Sequence, residues 1–333
     1  MTTTPLPPAV RIEGLRRRYG TGSSGFDAVR GVDLEVAAGT ITALLGTNGA
    51  GKTSTLEVVE GLAPATEGRV EVLGLDPVAD RGAVRRRTAV LLQTSGFSGD
   101  LTVRETLVMW NATVTDARSV EEVMDLVGMR DRADVAVRAL SGGERRRLDL
   151  ACTLTTRAEV VLLDEPTTGL DPESRRQVWR VLEDLRADGV TVLLCTHYLE
   201  EAEVLADHVA ILHEGRIVRV GTVAEITAEA PSTIRFRHPE DTGLPDLPVL
   251  PGAGVTRHEG TVTVVSDDVQ RDLGTLLAWA AEHGLRLDRL EARAASLESV
   301  FLDIAADRTD RTDPEPEPDP EPESEPAVME ETR

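Results

Sequence analysis

Residues 46–53 read Gly-Thr-Asn-Gly-Ala-Gly-Lys-Thr, which fits G-x-x-x-x-G-K-[ST] at every fixed position. Thr40–Leu45 before it is a short apolar strand, and Thr53–Glu60 after it has helical spacing. A strand that turns through a glycine-rich loop into a helix restricts the chain to α/β folds built around that loop. Glycines let backbone N–H groups turn inward onto an anion, and the helix N-terminus adds its dipole to the same anion. Lys52 reaches the β/γ-phosphates of a nucleotide, and Thr53 offers a hydroxyl to Mg²⁺. The competing reading is a glycine-rich turn without a ligand; the strand–loop–helix context disfavours it. Lys52 is also the chain's only lysine, every other basic residue being arginine. A compact ammonium survives where a planar guanidinium fork does not fit.

The second half of such a site is Val160-Val-Leu-Leu163-Asp164-Glu165. A continuous apolar run reads as a buried parallel strand. A carboxylate at its tip, Asp164, can face Mg²⁺, and Glu165 directly after it can serve as general base. Alone, an apolar run ending in Asp-Glu is most often just a strand end; behind a phosphate cradle it becomes a metal and base site.

The rest of the chain alternates strands and helices. Val10, Ile12 and Leu34, Val36 mark strands, as do Val190–Thr196, Val209–Leu212 and Ile217–Val220, the last two joined by a turn at Gly215. Helical spacing covers Glu121–Val127, Glu144–Leu154 and Ser174–Ala187. Composition changes near Ala230, and a small α+β appendage follows: strands at Thr233–Arg237, Thr261–Val265 and Leu285–Leu290, a helix over 268–283, and a helical face of Leu297, Val300, Phe301 and Ile304. The expected domains are a flexible start (1–9), an ATPase domain (10–230), the appendage (231–308) and a disordered acidic Pro/Glu tail (309–333), since the tail's alternation of proline and acid cannot bury a core.

Leu140-Ser-Gly-Gly-Glu144 stands between the two nucleotide motifs and resembles the Leu-Ser-Gly-Gly-Gln signature of ABC ATPases. Tyr19, Gln93, Gly169-Leu-Asp171 and His197 fall in the family's order as adenine-stacking aromatic, Q-loop glutamine, D-loop and switch histidine. Arg145-Arg-Arg-Leu-Asp-Leu-Ala151, Thr196-His-Tyr-Leu-Glu-Glu-Ala202 and Ser296-Leu-Glu-Ser-Val-Phe-Leu302 look like exporter subunits of the daunorubicin/doxorubicin-resistance type. The resemblance implies a P-loop ABC ATPase fold: a RecA-like lobe with a mixed sheet, a helical signature subdomain at about 94–150, and head-to-tail homodimers that sandwich each ATP. It places nucleotide contacts on Tyr19, on Gly46, Thr47, Asn48, Gly49, Ala50, Gly51, Lys52, Thr53 and Ser54, and in trans on Ser141, Gly142, Gly143, Glu144 and Asp171. Mg²⁺ falls to Thr53, Gln93 and Asp164; catalysis to Glu165, His197, Gln93 and Lys52. Three of these have a local alternative (a core tyrosine at 19, a polar loop residue at 93, a structural histidine at 197), and the ordered set of motifs favours the family role at all three. Two positions depart from the family pattern. Thr47 replaces a proline that only shapes the loop. Glu144 replaces glutamine and puts a negative charge near a tetra-anionic ligand, a change that can tune ATP capture.

The net charge of −22 argues against nucleic acid and against direct adsorption to anionic lipid. The segment from Thr309 holds ten acidic and two basic residues, which leaves −14 on the remainder. The arginine runs at Arg16–Arg18, Arg85–Arg87 and Arg145–Arg147 read as solvated faces. Cys152 and Cys195 lie in apolar segments without zinc spacing and read as buried thiols in a reducing compartment. No apolar run approaches the ~20 residues of a membrane helix, and Met1–Ala9 has no signal-peptide pattern. The expected location is the cytoplasmic face of the membrane, held there by a separate permease subunit. An importer ATPase, a soluble non-transport ABC ATPase and a non-catalytic ATP-binding module remain as alternatives. The last is disfavoured by the presence of Glu165 and His197.

Overall fold

The strand that feeds the glycine-rich loop is buried at all five positions of Ile41–Leu45, and the fold is arranged around it. A computed structural model describes residues 7–20, 22, 25–91, 96–228, 230–237 and 246–306. Gln93, the first six residues and the acidic segment from 309 onward lie outside the described residues, as do the expectations attached to them.

In chain order the strands are β1 (Val10–Tyr19), β2 (Phe26–Val36), β3 (Ile41–Leu45), β4 (Glu67–Val72), β5 (Thr88–Leu91), β6 (Val160–Asp164), β7 (Thr191–Thr196), β8 (His208–His213), β9 (Arg216–Gly221), β10 (Ser232–Arg237), β11 (Gly254–His258), β12 (Thr261–Ser266) and β13 (Asp288–Arg293). The helices are α1 (Lys52–Val59), α2 (Arg81–Arg85), α3 (Val103–Asn111), α4 (Val120–Leu126), α5 (Gly142–Leu154), α6 (Pro172–Ala187), α7 (Leu199–Leu205), α8 (Val223–Ala228), α9 (Val269–Glu282) and α10 (Leu297–Ala306).

The central sheet has the order β5-β6-β7-β3-β8-β9. Its first five strands are parallel, and β9 closes it antiparallel to β8. The parallel strands read as unbroken apolar runs because both faces are covered. Val161, Leu163, Val192 and Leu194 face a core shared with α3, α4, α5 and α6. Val160, Leu162, Leu193 and Cys195 face a second core shared with α1 and with an antiparallel sheet of order β2-β1-β4. Asp164 and Thr196 thus end adjacent strands at the same edge as the loop that follows Leu45, since Leu45 pairs with Thr196 and Asp164 with Cys195.

The appendage is a sheet of order β11-β12-β10-β13, with α9 laid on the face that carries Ile234, Phe236, Val262 and Val264. The last helix does not belong to that core. Leu297 and Val300 of α10 are buried with Ile226 of α8, Ala202 of α7 and the β3/β8 face of the central sheet. The chain therefore leaves the lobe of the central sheet at β10 and returns to it at α10. Burial of two such side chains contributes on the order of 1.5–3 kcal/mol each.

Candidate functional site

The first turn of α1 has no side-chain cap, so its N–H groups point into the loop without an intrahelical partner. Gly51 at the N-cap has φ 106°, and a Cβ there would stand 2.4 Å from the Ala28 carbonyl oxygen. Only glycine fits. Gly46 is equally confined, its Cβ position lying 2.6 Å from the Leu212 carbonyl oxygen. Thr47 carries no proline ring, yet its carbonyl still closes the loop by accepting from Ala50 N at 3.1 Å.

Lys52 is 5% exposed. Its Nζ donates to the carbonyls of Gly46 (2.7 Å) and Thr47 (3.2 Å) and stands 3.9 Å from Glu165 Oε1. Burial lowers its pKa, and the carboxylates of Glu165 and Asp164 oppose that shift. Thr53 Oγ1 donates to Asp164 Oδ2 at 3.0 Å. The other oxygen, Oδ1, is buried without a hydrogen-bond partner, and burial raises the carboxyl's pKa. A hydroxyl and an orphaned carboxylate oxygen side by side are a fitting start for a hard cation that takes its other oxygens from water and phosphate. Among the described residues no three His, Cys, Asp or Glu side chains gather as a protein cage for a metal.

Glu165 adopts φ 47°, a left-handed conformation that an ordinary side chain holds only when its surroundings enforce it. The turn directs the carboxylate to His197 Nδ1 (2.9 Å) and to the Thr168 hydroxyl (3.1 Å). His197 stands just past β7, its ring 4.1 Å from that of Tyr198. Tyr19 ends β1 beside the first turns of α1, where its hydroxyl donates to Glu57 (2.8 Å) and lies 3.2 Å from Ser54 Oγ.

Ser141, Gly142, Gly143, Glu144 and Asp171 form a second group. Ser141 and Glu144 make a capping box at the start of α5, and Asp171 caps α6 through the amides of Glu173 and Ser174. The two helix starts touch: a Cβ on Gly143 would fall 2.2 Å from Ser174 Oγ. The described hydrogen bonds and ion pairs made by the side chains of Ser141, Glu144 and Asp171 stay within this group, the first turn of α6 and Arg132. The Glu144 carboxylate accepts from Ser141 N (2.9 Å) and from Arg132 Nε (2.6 Å), and these bonds hold its pKa below the usual range.

One expectation is corrected. Arg146 is not on a solvated face: it is 7% exposed and donates to the carbonyls of Asp164, Glu165 and Pro166. Helical spacing could have found it, since residue 146 falls three after Gly143 and four before Leu150 on the buried stripe of α5. The run of three arginines hid the stripe.

Residues 29–168 match the ABC transporter family, and residues 232–296 match the C-terminal domain of ABC transporter domain-containing-like proteins. The daunorubicin resistance ATP-binding protein DrrA3 of Streptomyces coeruleorubidus is 36% identical over 310 residues, 90% of this chain and 96% of the relative. The Nod factor export ATP-binding protein I of Ralstonia nicotianae is 35% identical over 89% of this chain and 93% of its own. Among solved structures, cbiO1 of Clostridium perfringens, part of an ABC transporter complex, superposes with a TM-score of 0.59 at 25% identity, covering 67% of this chain and 92% of that one. An ATP-binding cassette solved as a dimer in a post-hydrolysis state with ADP and Pi shares the fold, with a TM-score of 0.58 at 22% identity over 64% of this chain and 98% of its own. With a nucleotide cradle, an in-order signature and relatives aligned along nearly its whole length, this chain belongs to the ATP-binding ATPase subunits of ABC transporters, alongside the daunorubicin- and doxorubicin-resistance proteins.

Proposed function

We propose that two copies of this chain bind two ATP molecules head to tail, and that closure and hydrolysis drive efflux of a small, drug-like substrate through a separate membrane subunit. Relatives named for drug resistance and for Nod factor export support an exporter. The observation that carries the hydrolytic part is the convergence on Glu165, with His197 Nδ1 at 2.9 Å and Lys52 Nζ at 3.9 Å from one carboxylate oxygen. Lys52 neutralises charge on the β/γ-phosphates, and its bonds to Gly46 and Thr47 hold it at the loop's centre. Glu165 accepts the proton of the attacking water. His197 senses the γ-phosphate and orients that carboxylate, and Gln93 positions the water. Thr53 and Asp164, with Gln93, would hold Mg²⁺, which supplies neutralisation of phosphate charge when bound. Tyr19 stacks on the base. Ser141, Gly142 and Gly143, at the start of α5, grip the partner's γ-phosphate, and Asp171 lines the same interface.

Cavities of 510 and 530 Å³ lie at the strand starts of the central sheet and on the appendage sheet, and one of 270 Å³ lies against Thr47–Ala50 of the loop. Val108, Met109 and Trp110 of α3 are exposed, with Phe97 edge-on to Trp110 at 6.2 Å. This apolar patch is the surface assigned to the membrane subunit. Among the described residues no helix is long and apolar enough to cross a membrane.

Glu165→Gln tests the reading. Turnover should fall by a factor on the order of 10² or more. The variant should also run as a monomer without nucleotide and as a dimer in ATP, but not in ADP, by light scattering at high protein concentration. A variant that hydrolyses ATP at the normal rate, or stays monomeric in saturating ATP, refutes it.

A further inference from the structure

Three consecutive carbonyls of the turn that carries Glu165 converge on one guanidinium. Arg146 Nε donates to Pro166 O at 2.8 Å, and its Nη2 donates to Asp164 O at 3.0 Å and Glu165 O at 2.9 Å. The side chain is buried, and Asp149 Oδ2 lies 3.7 Å from Nη1. A planar fork with several in-plane donors can meet successive carbonyls in this way; an ammonium cannot hold the same directions. Glu165 sits in the middle of this turn at φ 47°, a conformation that needs external support.

Arg146 begins five residues after Ser141, on the same helix. The start of α5 belongs to the surface assigned above to the partner's nucleotide. The turn it grips aims Glu165 at the subunit's own nucleotide. A helix moves as a rigid rod, so a shift of its first turn is passed to the residues one turn further on. We infer that Arg146 is a positioning residue that ties the signature helix to the catalytic turn: engagement of one nucleotide by Ser141–Gly143 sets the aim of Glu165 on the other. The inference rests on the roles proposed for Glu165 and the signature, and the test separates the two.

Arg146→Gln, which keeps a shorter donor, is compared with wild type and with Glu165→Gln in the full chain. A catalytic carboxylate displaced by about an ångström loses on the order of 10²-fold in rate. The expected result is therefore a fall of that order in kcat, with KM for ATP within about twofold because the Lys52 cradle is untouched. The slow variant should also accumulate as an ATP-dependent dimer, as Glu165→Gln does, a gain that general damage to the fold does not produce. Arg146→Lys should fail in the same manner, since charge without the fork does not hold three carbonyls. If Arg146→Gln does not fold, Arg146→Lys carries the test alone. Turnover within about twofold of wild type in the folded variant overturns the inference, as does a joint loss of thermal stability, ATP affinity and kcat with no trapped dimer. An active Glu165→Gln protein removes the role of the turn itself, whatever Arg146 does.

Discussion

Lys52 is the residue whose chemistry is most legible in the sequence, because a chain that uses arginine everywhere else keeps one lysine inside a glycine-rich loop. The structure gives the physical reason. The ammonium is buried between two loop carbonyls 2.7 and 3.2 Å away. Lys52→Arg should lose ATPase activity by about 10²-fold, and the larger head should lower stability by about 1–3 kcal/mol through overpacking. Steady-state ATPase rates and a thermal melt check both, and near-normal turnover would show that the cradle accepts a fork. Glu144 is harder to read. Its place in the signature suggests a charge facing ATP, but spacing does not say where a side chain turns. The carboxylate closes a capping box with Ser141 and pairs with the exposed Arg132. Gln at the same position can still cap, and an exposed ion pair contributes at most about 1 kcal/mol. Glu144→Gln should therefore leave KM for ATP within about twofold at low and high salt. A clear drop in KM confined to low salt would show that the carboxylate faces the partner's nucleotide.

At the scale of elements, legibility follows burial. β6, β7 and α6 are readable from unbroken apolar runs or a clear apolar stripe. β11 is exposed at every position, so it carries no alternation to read. β4, β5, α3, α7 and α8 are short or polar enough that tertiary packing, not local pattern, decides them. In α7 the polar residue Glu201 is wholly buried, accepting from Thr167 Oγ1 and Trp179 Nε1, and so breaks the expected pattern. A second buried acid makes a prediction about α1. Glu60 stands at its C-terminal end, where the helix dipole also disfavours negative charge. Burial first, then Asp164 and Glu57, raise its pKa from 4.5 to about 7. The folded chain thus holds a proton there that the unfolded chain releases at lower pH. This contribution is fully present below the unfolded value and is lost as pH rises through about 7. Thermal melts of nucleotide-free protein should show Glu60→Gln more stable than wild type at about pH 8, with the advantage shrinking or reversing by about pH 5. An advantage that does not change with pH would mean the carboxyl titrates normally.

At the scale of the whole molecule, the family resemblance implies a shared site, in which the signature of one subunit faces the nucleotide held by the cradle of the other. In the single chain Ser141 and Asp171 cap their own helices, and neither makes a described bond to the cradle. Gly142 offers a clean probe. A Cβ on it meets nothing within 4 Å in the isolated subunit, and alanine is a better helix former than glycine. Gly142→Ala should therefore fold at least as well as wild type. Any loss of activity must then come from something outside the subunit, and a partner's triphosphate against the helix start is the proposed candidate. Lys52→Ala should be inactive for the opposite reason, since it lacks the cradle's ammonium and keeps an intact signature. Each protein alone forms two defective sites per dimer. In an equal mixture about half of the dimers are mixed, and in each of these the cradle of the Gly142→Ala subunit meets the signature of the Lys52→Ala subunit. That pairing rebuilds one complete site. ATPase activity of the mixture should exceed the sum of the separate proteins and approach about a quarter of the wild-type rate if the sites turn over independently. Two-tagged purification of the mixed dimer would bring it to about half. A Gly142→Ala protein that is fully active alone, or a mixture with no activity above the sum of its parts, would place each ATP within a single subunit.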